Sequence, residues 1–194
     1  MNKTRVAQVF LFLLVLGTAN ASAKSTFHER LTAGEIIVET KNVKGSDIPQ
    51  AIVTAVIDAP PADVWALISD CSKYKTNMIR VVEAREISRK GNDVTCEVTT
   101  GMPFPFSNLR AKTLAKHTVG PPVWSREWNL IEGDFVSNTG GWRIQAFDLE
   151  GTKSLVVYTV HAVPDMMVPD SLIRKAQRDT LPDLMKHLRK KVKK

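Results

Sequence analysis

The chain is 194 residues long, carries a formal net charge of +7, is 43% hydrophobic and contains two cysteines. This composition excludes a collagen-like or low-complexity polymer and a disulfide-dense scaffold, and leaves a globular class with length for one domain. The positive charge is local: residues 170–194 hold nine Lys and Arg against three Asp, or +6. A nucleic-acid-binding protein is expected to spread its cations over a contiguous face, so no nucleic-acid partner is expected here.

The first element reads as an export signal. Lys3 and Arg5 precede an apolar run from Val6 to Leu16 broken only by Gln8, and Gly17 leads into Ala19-Asn20-Ala21-Ser22-Ala23. The run falls short of the ~20 apolar residues that span a membrane, and Ala21-Ser22-Ala23 offers a cleavage site before Lys24. Residues 1–23 are therefore expected to be a signal peptide and 24–194 a single domain, periplasmic or secreted. Cleavage would remove Lys3 and Arg5 and leave 171 residues at a formal +5. A domain of that size buries about 70% of its unfolded surface.

Thr26 to Leu31 reads as a short helix. Strands follow at Glu35–Thr40 and Ala51–Asp58, joined as a hairpin across Lys44-Gly45-Ser46-Asp47. Pro60-Pro61 opens a helix in which Val64, Trp65, Leu67 and Ile68 form one apolar face, ending near Asp70. A short helix or turn over Ser72–Met78 leads into six strand-like segments: Arg80–Ser88, Asp93–Gly101, Asn108–Thr118, Val123–Ile131, Phe135–Phe147 and Ser154–Val163. Turn formers separate them at Lys90-Gly91-Asn92, Gly120-Pro121-Pro122, Glu132-Gly133-Asp134 and Glu150-Gly151-Thr152. Parallel crossovers need a dozen residues or more, so these short connections predict an antiparallel meander.

Val168 to Lys194 closes the chain as an amphipathic helix. Leu172, Ile173 and Ala176 share one face, while Leu184, Leu188 and Val192 form a stripe rotated by about a quarter turn at ~100° per residue. Pro182 lies at the changeover, where a lost backbone bond is expected to bend the axis and bring both stripes onto one curved surface. A curved antiparallel sheet has one face to bury, and a single long helix laid across it is the simplest cover. The fold class is α+β.

Cys71 and Cys96 have no metal-ligand spacing. Export permits a disulfide, and the alternation of Cys96 with Val94 and Val98 suits a buried thiol equally, so the sequence leaves both open. No Gly-x-Ser-x-Gly elbow, His-Glu-x-x-His, Cys-x-x-Cys, Walker loop or dinucleotide glycine fingerprint occurs. Neither a catalytic motif nor a cofactor or metal site is expected. The four histidines are scattered, and His161, alternating with Leu155, Val157, Thr159 and Val163, is the one an acid–base reading would use.

Val168-Pro169-Asp170-Ser171-Leu172-Ile173, with Leu181-Pro182-Asp183-Leu184 and Leu188-Arg189 after it, resembles the ending of steroidogenic acute regulatory protein-related lipid-transfer (START) domains. Ala59-Pro60-Pro61-Ala62-Asp63-Val64-Trp65-Ala66-Leu67-Ile68-Ser69-Asp70 is similar to the helix-opening segment of the START-like superfamily, and Gly141-Trp142-Arg143-Ile144 to a late strand of its sheet. The resemblance covers most of residues 34–192. It implies a helix-grip fold with a tunnel between sheet and last helix, holding a lipid, sterol or other hydrophobic molecule. The superfamily also holds polyketide cyclases, so an enzyme of cyclase type and a protein-interaction module using the same groove stand as alternatives.

The resemblance places a portal loop at Gly101–Asn108, which brings Met102, Phe104 and Phe106 forward as ligand contacts. Met166, beside Met167, is expected to form the facing hinge, since methionine adapts to varied apolar shapes. Leu172, Ile173, Leu184 and Leu188 are expected to face ligand from the helix, and Trp128, Trp142 and Tyr158 from the strands. Alternation groups Trp124, Arg126, Trp128 and Leu130 on one strand face and does not say which face is inward. An inward Arg126 would need a carboxylate or an anionic ligand group, because an unpaired buried charge is costly. Arg110, Arg126 and Arg143 are the candidate headgroup contacts. The basic end of the helix suits transient contact with an anionic membrane surface, where each cation contributes on the order of 1 kcal/mol.

Overall fold

The computed structural model describes residues 26–193; the expected signal peptide lies outside the described residues. Helix α1 (Phe27–Thr32) opens with a capping box, Thr26 Oγ1 accepting from the Glu29 N–H and Glu29 Oε2 accepting from the Thr26 N–H. This reciprocal arrangement satisfies two amides that helix formation would otherwise orphan. Strands β1 (Ile37–Lys41) and β2 (Gln50–Ile57) form the expected hairpin, and α2 (Pro61–Ile68) starts on Pro61 with Val64, Trp65 and Ile68 buried. A 3₁₀ turn (Cys71–Lys73) and α3 (Tyr74–Asn77) follow. The Tyr74 hydroxyl donates to the Ile68 carbonyl at 2.6 Å and Asn77 Nδ2 to the Leu67 carbonyl at 3.0 Å, pinning α3 beneath α2.

The six later strands are β3 (Val81–Lys90), β4 (Asp93–Thr100), β5 (Leu109–Thr118), β6 (Trp124–Gly133), β7 (Phe135–Ala146) and β8 (Ser154–Pro164). They pair as an antiparallel meander, and β8 then docks on β2, giving one eight-stranded sheet of order β1-β2-β8-β7-β6-β5-β4-β3. Helix α4 (Asp170–Lys191) lies across its inner face. The helix runs unbroken through Pro182, whose ring nitrogen leaves one carbonyl of the preceding turn without its usual donor.

The main core joins Val53, Ala55 and Ile57 of β2, Val64, Trp65 and Ile68 of α2, Ile144 of β7, and Leu181, Leu184, Met185 and Leu188 of α4. These residues gather at the end of the sheet where β2 finishes and β8 begins. There Arg189 clamps the helix, Nε donating to the Val56 carbonyl at 2.9 Å and Nη1 to the Gly34 carbonyl at 3.0 Å. At the other end Arg174 Nη2 reaches the Asp47 carbonyl and Gln177 Nε2 the Pro49 carbonyl, so α4 runs alongside β2 over its whole length. Cys71 and Cys96 are joined in a disulfide, which resolves the alternative left open by the sequence and ties the segment before β3 to β4.

Candidate ligand cavity

The core does not fill the space under α4. Toward the N-terminal end of the helix, sheet and helix separate around a cavity of about 590 Å³, within the roughly 300–1,000 Å³ of small-molecule sites. Two-residue periodicity delivers its walls: Leu109, Ala111 and Thr113 from β5, Arg126 and Trp128 from β6, Asn138 and Trp142 from β7, and Tyr158, Val160 and Ala162 from β8. Leu172, Ile173, Ala176, Leu181 and Leu184 close it from α4, and Tyr74, Met78, Val81 and Val98 from the opposite side.

Three aromatic rings form one wall. Trp142 lies 4.3 Å and Trp128 5.9 Å from Tyr158, centroid to centroid. Trp128 is fixed at its polar end, Nε1 donating to Asn138 Oδ1 at 3.0 Å. Its ring covers Gly140, where any Cβ would collide with it and with the Thr159 carbonyl. The glycine is therefore required by close approach rather than by an unusual φ.

The mouth lies where β4 ends and β5, β7 and α4 begin. Met102 and Pro103 line it from the loop that follows β4, and Val168 from the loop before α4. Phe104 and Met167, the neighbouring loop tips, are each 97% exposed. Arg80, also at the mouth, holds a left-handed backbone (φ 59°), and its carbonyl accepts from the Gly101 N–H at 2.7 Å.

One wall of the chamber carries a buried cation. Arg126 is 3% exposed, and its Nη2 donates to Cys96 Sγ at 3.3 Å, a weak acceptor. The guanidinium carbon stands 5.7 Å from the centroids of both Tyr74 and Trp128. Nε has no hydrogen-bond partner, and among the described residues no carboxylate pairs with the side chain. Two cation–π contacts contribute about 0.5–2 kcal/mol each, whereas desolvating an ion costs several kcal/mol. The site holds more positive charge than the protein compensates. Its neighbours stay neutral. Burial, reinforced by the Arg126 and Arg89 guanidiniums and opposed by Glu86, pushes the His117 imidazole down to about 4. Burial also raises the Tyr158 hydroxyl above the ordinary phenol range, with Arg126 pulling the other way.

Of the residues expected to contact ligand, Met102, Arg126, Trp128, Trp142, Tyr158, Leu172, Ile173 and Leu184 line the cavity. Phe104 points into solvent, and Phe106, part-buried in the same loop, and Met166, 36% exposed, lie outside the lining. Leu188 is fully buried in the core beyond the cavity, because its turn of α4 has already met α2 and β2. Arg110 faces outward on β5, between two inward neighbours, and pairs with Glu97 at 2.9 Å and Glu132 at 3.0 Å. Arg143 is likewise exposed, opposite the inward Trp142. His161 is buried but pinned elsewhere: Nε2 faces the Ile48 carbonyl at 3.1 Å, and Nδ1 lies 3.2 Å from the Ser137 hydroxyl. It fastens the β1–β2 connection and does not reach the cavity. Sequence reasoning missed Leu109, Ala111 and Thr113, although their alternation on β5 carries the same signal as the tryptophans of β6.

An apolar chamber held between a curved antiparallel sheet and a C-terminal helix defines the helix-grip, START-like class of protein. The chain belongs to the polyketide cyclase / dehydrase and lipid transport family, whose profile matches residues 57–189. It is similar in structure to a STAR-related lipid transfer protein from Xanthomonas axonopodis, at a TM-score of 0.71 and 17% identity over 89% of this chain and 97% of that one. Human StAR-related lipid transfer protein 5 superposes at 0.69 with 17% identity, covering 86% of this chain and 89% of that one. The Zhui aromatase/cyclase from Streptomyces sp. R1128 superposes at 0.59 with 14% identity, covering 74% and 93%. No curated protein matches the chain by sequence.

Proposed function

We propose that this protein is an exported carrier or sensor that holds one hydrophobic small molecule, of lipid or sterol class, in the chamber between sheet and α4 without transforming it. The observation that carries this reading is the chamber itself: about 590 Å³ of internal space whose walls are mainly aliphatic and aromatic. Desolvation of the ligand supplies the affinity at about 25 cal/mol per Å² of apolar surface, or ~0.8 kcal/mol for each buried methylene. The charged leader of residues 1–23 supports export, and the exposed apolar side chains of Phe104 and Met167 beside the mouth support transient contact with a membrane from which such a ligand is drawn.

Solvent extraction of protein purified from its native source, followed by mass spectrometry, tests the reading. One lipid class enriched near stoichiometry is expected. Adding that lipid back at a hundredfold excess over its Kd should stabilise the delipidated protein by about 2.7 kcal/mol, raising Tm by roughly 5–10 °C. Extracts without enriched lipid, together with a Tm that no lipid moves, would overturn it.

A further inference from the structure

We infer that Arg126 is the counter-ion site for an anionic amphiphile, which lies in the chamber head inward, its oxyanion on the guanidinium and its alkyl chain running toward the mouth. The inference rests on the carrier reading and deepens it by assigning the ligand's chemical class and direction. The observations are geometric. Arg126 is nine-tenths buried or better, lines a mainly apolar chamber whose other charged groups are Arg80 at the mouth and the mutually paired Lys175 and Asp179 of α4, leaves Nε without a partner and is matched by no carboxylate among the described residues. Among the described residues its polar and aromatic contacts are all neutral: the Tyr74 and Trp128 rings and the disulfide sulfur of Cys96. His117, its register partner on β5, is held uncharged, and Glu86, whose field reaches His117, is itself engaged by Arg89.

The register gives the direction. On β5 the lining runs from the mouth residue Leu109 to Thr113, four residues or roughly 13 Å at about 3.3 Å per residue, and Arg126 joins the wall beyond it, opposite His117. A head group seated at Arg126 therefore has a mainly apolar path toward the mouth behind it. A guanidinium presents a planar fork that takes a carboxylate or a phosphate in two parallel bonds. A fatty-acid carboxylate and a single-chain lipid phosphate share the required chemistry.

Binding of hexadecanoate, hexadecyl phosphate and hexadecanol to the delipidated protein at pH 8 tests the assignment, since the three share a chain and differ in the head. At least one anion is expected to bind 10- to 100-fold more tightly than the alcohol, and the tighter of the two identifies the source of the head group. In Arg126→Met the preference should vanish while hexadecanol affinity is kept. Because that change removes an unpaired buried charge, the apo variant is expected to melt no lower than the parent, where a merely structural arginine would cost stability. Arg126→Gln serves as a second neutral form if Met disturbs folding, and Arg126→Lys should recover part of the preference. Equal binding of alcohol and anions by the parent, or an undiminished preference in both neutral variants, overturns the counter-ion site and leaves the carrier reading standing. Failure of all three probes to bind, with no lipid in native extracts, overturns both.

Discussion

At the scale of single residues, the deep end of the chamber couples ligand chemistry to stability through His117. Its imidazole protonates near 4 in the fold against 6.5 when free, because burial first and the Arg126 and Arg89 charges second disfavour the cation. The unfolded chain therefore binds the extra proton between those values, and stability must fall as pH drops through that window. At about 1.36 kcal/mol per unit the loss approaches 3 kcal/mol by pH 4. Urea unfolding at pH 7 and pH 4.5 should show His117→Gln losing less stability on acidification than the parent; equal losses would remove His117 from the account. The inward side of Arg126 was half legible, since its alternation with Trp124 and Trp128 placed it on an apolar face. What the sequence could not show was its lack of a partner, which depends on side chains from α3, β4 and β5 converging from 9 to 52 positions away. Arg110 and Arg143 were more readable than their assignment as headgroup contacts allowed, because each is flanked by inward residues and strand periodicity sends it outward.

At the scale of elements, α4 divides its work along its length. Leu172, Ile173 and Ala176 face the chamber, whereas in the second stripe Leu188 faces packed core and Leu184 borders both, so the stripes that the sequence distinguished overlap at one turn and otherwise have different tasks. Leu188→Ala should cost about 2–5 kcal/mol of unfolding free energy, the range for a filled core site. Ile173→Ala should leave the melting of the ligand-free protein within a degree or two and weaken alkyl-chain binding about tenfold, since its side chain contacts ligand space. Paired thermal melts and binding titrations check the split, and a reversal of the two effects would show that the halves are misassigned. The six-strand meander was read nearly to its boundaries because glycine-bearing turns separate alternating runs. The docking of β8 on β2 was not, since it joins segments a hundred residues apart and no local pattern encodes it. The capping box at Thr26 and Glu29 is encoded in the spacing Thr-x-x-Glu.

At the scale of the whole molecule, the apolar mouth and the basic tail stand at opposite ends. The 22 residues of α4 span roughly 33 Å at 1.5 Å per residue, from the chamber mouth to the Arg189 clamp beyond which Lys190, Lys191 and Lys193 lie. In the membrane contact proposed above, the groups that would touch the surface are Phe104 and Met167, not the tail. Co-sedimentation with anionic vesicles should fall severalfold in a Phe104→Ser/Met167→Ser double variant. Replacing Lys190, Lys191 and Lys193 with Gln should reduce only the salt-sensitive part of binding. If the lysine variant loses binding and the loop variant does not, the mouth is not the contact.

The disulfide between Cys71 and Cys96 gives the chamber a permanent base. It staples the 3₁₀ turn before α3 to β4 at the Arg126 end, and Trp65, Ile144, Met185 and Leu188 fill the space behind, so that end of the chamber backs onto packed core. For the carrier proposed above, a chamber closed at that end that holds one molecule would have to unload at one surface before collecting at another, and the empty form would make the journey between them.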